Sequence, residues 1–263
     1  MRALVGIDLR ATGHEWLVER AGLYAARLGG PLDLVYFHGG PIDAAEADQQ
    51  RERLADLMLA LPDATRGAPR IETTTAPEGF VALSAEYQVL VVGSREPPAL
   101  ERLLHGPMAS RVLRQAKCPV LVPRGERPAG AAPRLLVGVD VEGPAPTDVL
   151  DWADRWAGWL GGTVHVAYAA AAHRGDWVSV RESYRVKLES MLEQHVREPH
   201  RGAATVRRGE PEEMLIAMSH DYDLVLVGNR DREGLARIML GAVANGIVRR
   251  AACDVVSLPT ASG

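Results

Sequence analysis

The chain has 263 residues, with 30 Lys and Arg against 34 Asp and Glu and a net charge of −4, and its 47% apolar content is that of an ordinary folded globular protein. The acidic balance argues against sequence-independent nucleic-acid binding, which needs a basic surface, and no apolar run reaches the ~20 residues of a membrane helix. The opening, Met1 to Asp8, carries one basic residue and then an aspartate behind a short apolar run, a buried strand rather than a signal peptide. The expected compartment is the cytoplasm.

In chain order, Ala3–Asp8 is a short continuous apolar run, the pattern of a parallel strand covered on both faces. Glu15–Leu28 has apolar residues at helical spacing and stops at Gly29-Gly30. Pro31–Phe37 is a second strand, and Ala44–Leu61 a helix with Leu54, Leu57, Met58 and Leu61 on one face. Arg70–Thr75 reads as a polar edge strand, Gly79–Glu86 as a helix, Val89–Val92 as a buried strand, Leu100–Ala116 as a helix and Pro119–Val122 as a last strand.

The same series then returns: Arg134–Asp140, Thr147–Leu160, Thr163–Tyr168, Val180–Arg197, Ala204–Arg208, Glu212–His220, Leu224–Val227, Leu235–Arg250 and Asp254–Leu258. Val5-Gly6-Ile7-Asp8 matches Val137-Gly138-Val139-Asp140, and Leu28-Gly29-Gly30 matches Leu160-Gly161-Gly162, both 132 residues on. Gly93 matches Gly228, Gly106 matches Gly241 and Cys118 matches Cys253, all 135 residues on. A period this long is that of a domain, not of a solenoid repeat. The sequence is therefore read as two α/β domains, residues 1–123 and 134–263, joined by a Pro-, Gly- and Ala-rich linker at 124–133. The three extra residues of the second copy fall around its second helix, where insertions lie at the surface.

Two cysteines at equivalent places read as small buried hydrophobes, since no CxxC or paired-histidine spacing suggests zinc. Trp152, Trp156 and Trp159 fall on one face of a helix and read as the face packed on the sheet.

Open parallel sheets bind ligands at the carboxyl ends of their strands, where the strand order reverses. Two segments in each copy aim there. One is Asp8 or Asp140, after the first strand. The other is the turn Gly93-Ser94-Arg95-Glu96 or Gly228-Asn229-Arg230-Asp231, followed by a helix opening near Gly106 or Gly241. Glycine lets a backbone approach a ligand closely, and a helix start presents unpaired N–H groups, so together they can hold phosphate. Arg95 and Arg230 stand in equivalent turns and could meet it. No catalytic set rises above this: the eight histidines show no paired-ligand spacing, His105 is the one near the turn, and Ser94 has no general base nearby in sequence.

The strand, turn and helix from Asp223 to Val243, and the first copy's close from Val112 to Val122, resemble the universal stress protein family in a tandem form, and the resemblance covers essentially the whole chain. It implies five-stranded parallel sheets flanked by helices, an adenine-nucleotide-hydrolase-like fold, and domains paired through their last strands as a pseudo-dimer. Many members bind ATP through a G-x2-G-x9-G-S/T pattern, with an aspartate after the first strand near the nucleoside. On that likeness the candidate nucleotide-binding residues are Asp8, Gly93, Ser94, Arg95 and Gly106 in the first copy, with Asp140, Gly228, Asn229, Arg230 and Gly241 in the second.

Both copies depart from the pattern at the same two places. Glu96 and Asp231 stand at the second glycine, and Pro107 and Ala242 at the hydroxyl residue. A carboxylate 4 Å from a phosphate costs roughly 4 kcal/mol at an effective dielectric constant of about 20. Proline removes an N–H donor and alanine a hydroxyl. The acidic side chain could itself cap the vacant N–H groups, or could point to solvent.

The leading expectation is a non-catalytic stress-response or regulatory binding protein with a degenerate ATP motif in both copies and no certain cofactor. The alternatives are an AMP- or ATP-binding sensor using mainly the second copy, and a weak ATP-hydrolysing enzyme. Expected partners are the other half of the chain, a further copy forming a homodimer, and a regulatory protein of unknown identity, with no nucleic acid and no membrane.

Overall fold

The computed structural model describes residues 1–93, 107–124, 132–142, 147–170, 176–228 and 241–259. They divide into two compact halves, Met1–Pro123 and Arg124–Gly263.

In the first half, strands β1 (Ala3–Gly6), β2 (Leu32–Phe37), β3 (Arg66–Glu72), β4 (Val89–Val91) and β5 (Val120–Val122) lie in the order β3-β2-β1-β4-β5. Every pairing among them is parallel. Helices α1 (His14–Leu28), α2 (Ala44–Met58), α3 (Ala76–Leu83) and α4 (Pro107–Gln115) make the crossovers. Parallel neighbours need such crossovers, and helices on both faces explain why the strands read as unbroken apolar runs. Leu4, Val5, Leu32, Leu34, Val35 and Leu90 are fully buried.

The second half repeats the plan. Strands β6 (Arg134–Gly138), β7 (Thr163–Ala170), β8 (Arg201–Arg208), β9 (Leu224–Gly228) and β10 (Asp254–Leu258) lie in the order β8-β7-β6-β9-β10, again all parallel. Helices α5 (Thr147–Leu160), α6 (Trp177–His195), α7 (Pro211–Met218) and α8 (Ala242–Arg250) connect them. The extra residues of this copy lengthen its second helix, 19 residues in α6 against 15 in α2.

The repeated Leu-Gly-Gly has a double cause. Gly29 and Gly161 adopt φ values of 70° and 67°, the left-handed conformation that ends a helix. The next glycine is needed for space: a Cβ on Gly30 would lie 1.3 Å from the Met1 carbonyl oxygen, and one on Gly162 2.3 Å from that of Pro133.

Some element ends differ from the sequence reading. Strands β3 and β8 start earlier, at Arg66 and Arg201, because short 3-10 turns at Asp63–Thr65 and Glu198–His200 feed directly into them. Helix α3 starts at Ala76 because Pro77 sits in its first turn, where its missing N–H costs nothing. Helix α6 starts at Trp177, capped by Asp176, whose side chain accepts from the Val178 amide at 3.0 Å. The segments expected to open the last helices, 100–106 and 235–240, lie outside the described residues.

Trp156 on α5 is fully buried, while Trp152 and Trp159 on the same helix are half-buried and meet edge-on with ring centroids 6.4 Å apart. Cys118 and Cys253 are buried free thiols, and burial pushes each up to about 12. Arg124 opens the second half and is anchored within it: its amide donates to Asp254 at 2.7 Å, and its guanidinium donates to the carbonyls of Ala251 and Val248 at 3.0 and 2.8 Å. A cation thus satisfies carbonyls at the end of α8, where the helix dipole favours it.

At the amino end of the first sheet, Asp33 is a buried carboxylate shared by three elements. It accepts from the Ala68 amide at 2.8 Å and the Tyr87 hydroxyl at 2.5 Å, and pairs with Arg2 at 2.7 Å. Burial and the bond to Asp33 push the Tyr87 phenol up to about 12. Removing the carboxylate leaves three donors without their acceptor, so Asp33→Ala should cost about 3 kcal/mol. The drop in urea midpoint against the wild type measures it.

Candidate functional site

The strand order reverses between β1 and β4 in the first half and between β6 and β9 in the second, the place where open parallel sheets bind ligands at the carboxyl edge. The registers Val5↔Val91 and Val137↔Leu226 bring Asp8 and Gly93, and Asp140 and Gly228, to the same edge of neighbouring strands. Close approach of helix side chains shapes this edge. A Cβ on Gly6 would lie 2.2 Å from the Phe80 ring, and one on Gly138 2.5 Å from Leu215 Cδ1. A Cβ on Gly93 would meet Leu17 at 2.7 Å.

The two aspartates build the same local turn. Asp8 Oδ1 accepts from the Arg10 amide and Asp140 Oδ1 from the Glu142 amide, each at 3.1 Å. This Asx-type turn keeps the carboxylate folded over its own loop. In the first half its side chain is still 62% exposed.

Each half then ties this loop to its second helix, with different chemistry. In the first half, Arg53 on α2 donates to the Leu9 carbonyl at 2.8 Å, and the Arg10 guanidinium lies 5.7 Å from the Tyr36 ring centre and 3.6 Å from Asp8. In the second half, the Tyr184 hydroxyl on α6 donates to Glu142, while the Tyr168 and Tyr184 rings pack 4.7 Å apart. Burial and Glu142 raise the Tyr168 phenol, and the bond to Glu142 raises that of Tyr184. Tyr168 and Tyr184 were not singled out in the sequence, because a contact spanning 42 positions leaves no local pattern.

Gly241 precedes α8 with its carbonyl accepting from Asn245 at 2.9 Å. Ser94, Arg95, Glu96, His105 and Gly106, with Asn229, Arg230 and Asp231, lie outside the described residues. For Pro107 and Ala242 only the backbone is described, at the first positions of α4 and α8. Among the described residues no group of three or more His, Cys, Asp or Glu side chains could hold a metal ion, and no helix is long and apolar enough to cross a membrane.

The universal stress protein family model matches the chain twice, over residues 1–124 and 132–259. The chain belongs to the universal stress protein family. A universal stress protein of Mycolicibacterium smegmatis is 25% identical, with 96% of this chain and 95% of that protein aligned. Among solved structures, a universal stress protein from Archaeoglobus fulgidus superposes with a TM-score of 0.65 at 17% identity, over 99% of this chain and 97% of that one. A functionally unknown protein from Pseudomonas aeruginosa reaches a TM-score of 0.70 at 18% identity, over 98% and 92% of the two chains. These structural likenesses, at such identities, are likenesses of fold: a tandem of universal stress protein domains.

The helix tether in the second half centres on the Tyr184 hydroxyl. Tyr184→Phe removes the hydroxyl that joins Glu142 and Tyr168 and should cost about 1 kcal/mol. Amide exchange at 139–142 should quicken, while the equivalent loop at 7–10 keeps its rate.

Proposed function

We propose that this is a non-catalytic, cytoplasmic stress-response protein that acts by binding, and that ATP binding is weakened in both of its halves. The observation that carries this reading is the paired departure from the ATP motif, Glu96 with Pro107 and Asp231 with Ala242. Each half keeps the aspartate after its first strand and the outer glycines, yet carries an acidic residue at the motif's second glycine. Two copies that lose the same two elements argue for a changed ligand or a changed use rather than random drift in one copy.

The described loops bear on where an anion would enter. Arg10 stands in the first half where Glu142 stands in the second, two residues beyond the aspartate in each case. A guanidinium attracts a phosphorylated ligand and a carboxylate repels it, so the two entrances differ in charge.

We also propose that the two domains, residues 1–123 and 134–263, pair through β5 and β10. Each is a short apolar strand at the end of its own half's strand order, and exposed strand edges of that kind invite association. Proteolytic cleavage within 125–131 should then leave two fragments that co-elute. Fragments that separate at once would end the pairing idea. A regulatory protein partner and a homodimer are the remaining expected associations.

Isothermal titration with ATP tests the central reading. Asp231→Gly with Ala242→Ser should strengthen binding at least tenfold over the wild type, about 1.4 kcal/mol. Glu96→Gly with Pro107→Ser should do so by less if the helix entry there is built around proline. Micromolar affinity in the wild type, unchanged by either repair, would show that the acidic residues point away and that the protein is a nucleotide sensor.

A further inference from the structure

At the amino end of the sheets, far along the strands from the ligand edge, both halves share an irregularity. The register of β2 on the edge strand β3 slips between Leu32 and Leu34, and that of β7 on the edge strand β8 slips between Val164 and Val166. A side chain fills each slip and accepts the backbone N–H that the ladder no longer serves. In the first half it is Asp33, whose Oδ1 takes the Ala68 amide at 2.8 Å. In the second it is His165, whose Nδ1 takes the Ala203 amide at 3.0 Å. The neighbouring glycines make room for the filler: a Cβ on Gly67 would lie 2.1 Å from Asp33 Oδ1, and one on Gly202 2.7 Å from the His165 ring.

The two acceptors respond differently to protons. A carboxyl group offers an oxygen lone pair in either protonation state, whereas imidazole Nδ1 accepts only while it carries no proton. A backbone amide can only donate, so the Ala203 bond fixes the neutral tautomer with hydrogen on Nε2. That nitrogen sits 3.1 Å from Thr163 Oγ1 and donates there. Adding a proton to Nδ1 turns it toward another donor and removes the acceptor.

We propose that His165 is an acid-sensitive latch on β8, so that the second half senses mild acid by loosening its edge strand while the first half holds. The groups facing the imidazole favour this. The Arg134 guanidinium lies over the Tyr222 ring at 4.5 Å, and that ring meets His165 edge-on at 5.3 Å. Asp223 is engaged by the Arg134 amide at 2.8 Å, and the Arg201 guanidinium by the carbonyls of Val196 and Glu193. Burial and Arg134 together hold the imidazole below its ordinary value. A histidine whose folded value is lowered binds fewer protons folded than unfolded. Its contribution is therefore whole above about 6.5 and is lost as pH falls from there through the lower folded value.

Hydrogen exchange on the full chain tests the latch, comparing pH 7.5 with pH 5.0 after correction for the intrinsic pH dependence of exchange. Amides of 201–208 should lose protection about tenfold at the lower pH while those of 66–72 change little. In His165→Asp, which copies the first half, and in His165→Asn, which keeps an uncharged acceptor, the β8 step should vanish. Equal β8 protection at both pH values in the wild type would overturn the proposal, as would a step that persists in His165→Asn. Should either variant fold poorly, nitrogen-15 spectra of the wild-type imidazole give an independent reading. A proton on Nδ1 at pH 7.5 would overturn the latch, and a bare Nδ1 that gains its proton in step with β8 exchange would support it.

Discussion

Burial of the middle strand of each sheet on both faces is the constraint from which the rest follows. Val5 in β1 and Val137 in β6 have no exposed surface, and neither have their neighbours Leu4 and Leu136. Such strands cannot carry chemistry along their length, because a polar side chain there would need a buried partner. Polar groups are driven to the strand ends. At the carboxyl end, Gly6 and Gly138 let Phe80 and Leu215 close over the backbone, and the chain then turns outward through Asp8, which is exposed, and Asp140, which is half-buried. The position of the candidate site is thus a by-product of how the core is sealed.

The two halves share that frame and differ in what they hang on it. Asp33 and His165 occupy one place, Arg10 and Glu142 another. A third pair of equivalents is Gly22 and Asp154, on the first helix of each half. A Cβ on Gly22 would lie 2.3 Å from Leu61, an apolar contact. Asp154 instead accepts from His200 at 2.8 Å and from Arg197. Burial opposes its ionisation, but the bonds from His200 and Arg197 prevail and hold its carboxyl below the usual value. The second half has moved toward histidine and charge at places where the first uses apolar contact or a carboxylate.

The sequence displayed the parts of the fold that are tied to backbone geometry. Leu-Gly-Gly repeats because one glycine must turn left-handed and the next must clear a neighbouring carbonyl, so neither tolerates substitution. Apolar runs repeat because parallel strands are covered twice. What stayed hidden was polar and long-range. Asp33 and His165 are polar residues inside otherwise apolar strands, and only the register slip beside each shows their purpose. Glu142 and Tyr184 approach each other through folding alone. The early starts of β3 and β8 escaped notice because polar edge strands lack the alternation that marks a half-buried one. Of the proposed site, Asp8, Gly93, Asp140 and Gly228 stand out in the repeat, and that each pair lies at one sheet edge follows only from the strand order.

The matched cysteines have a practical meaning. A thiol held up to about 12 is ionised in only about one molecule in 10⁵ at neutral pH, and the thiolate is the form that reacts with peroxide or alkylating agents. Neither Cys118 nor Cys253 can therefore act as an oxidant detector while its half is closed. Opening a half restores the ordinary reactivity of its one cysteine. Nature has, in effect, placed a single chemical seal in each domain, and the order in which the seals break reports which domain opens first.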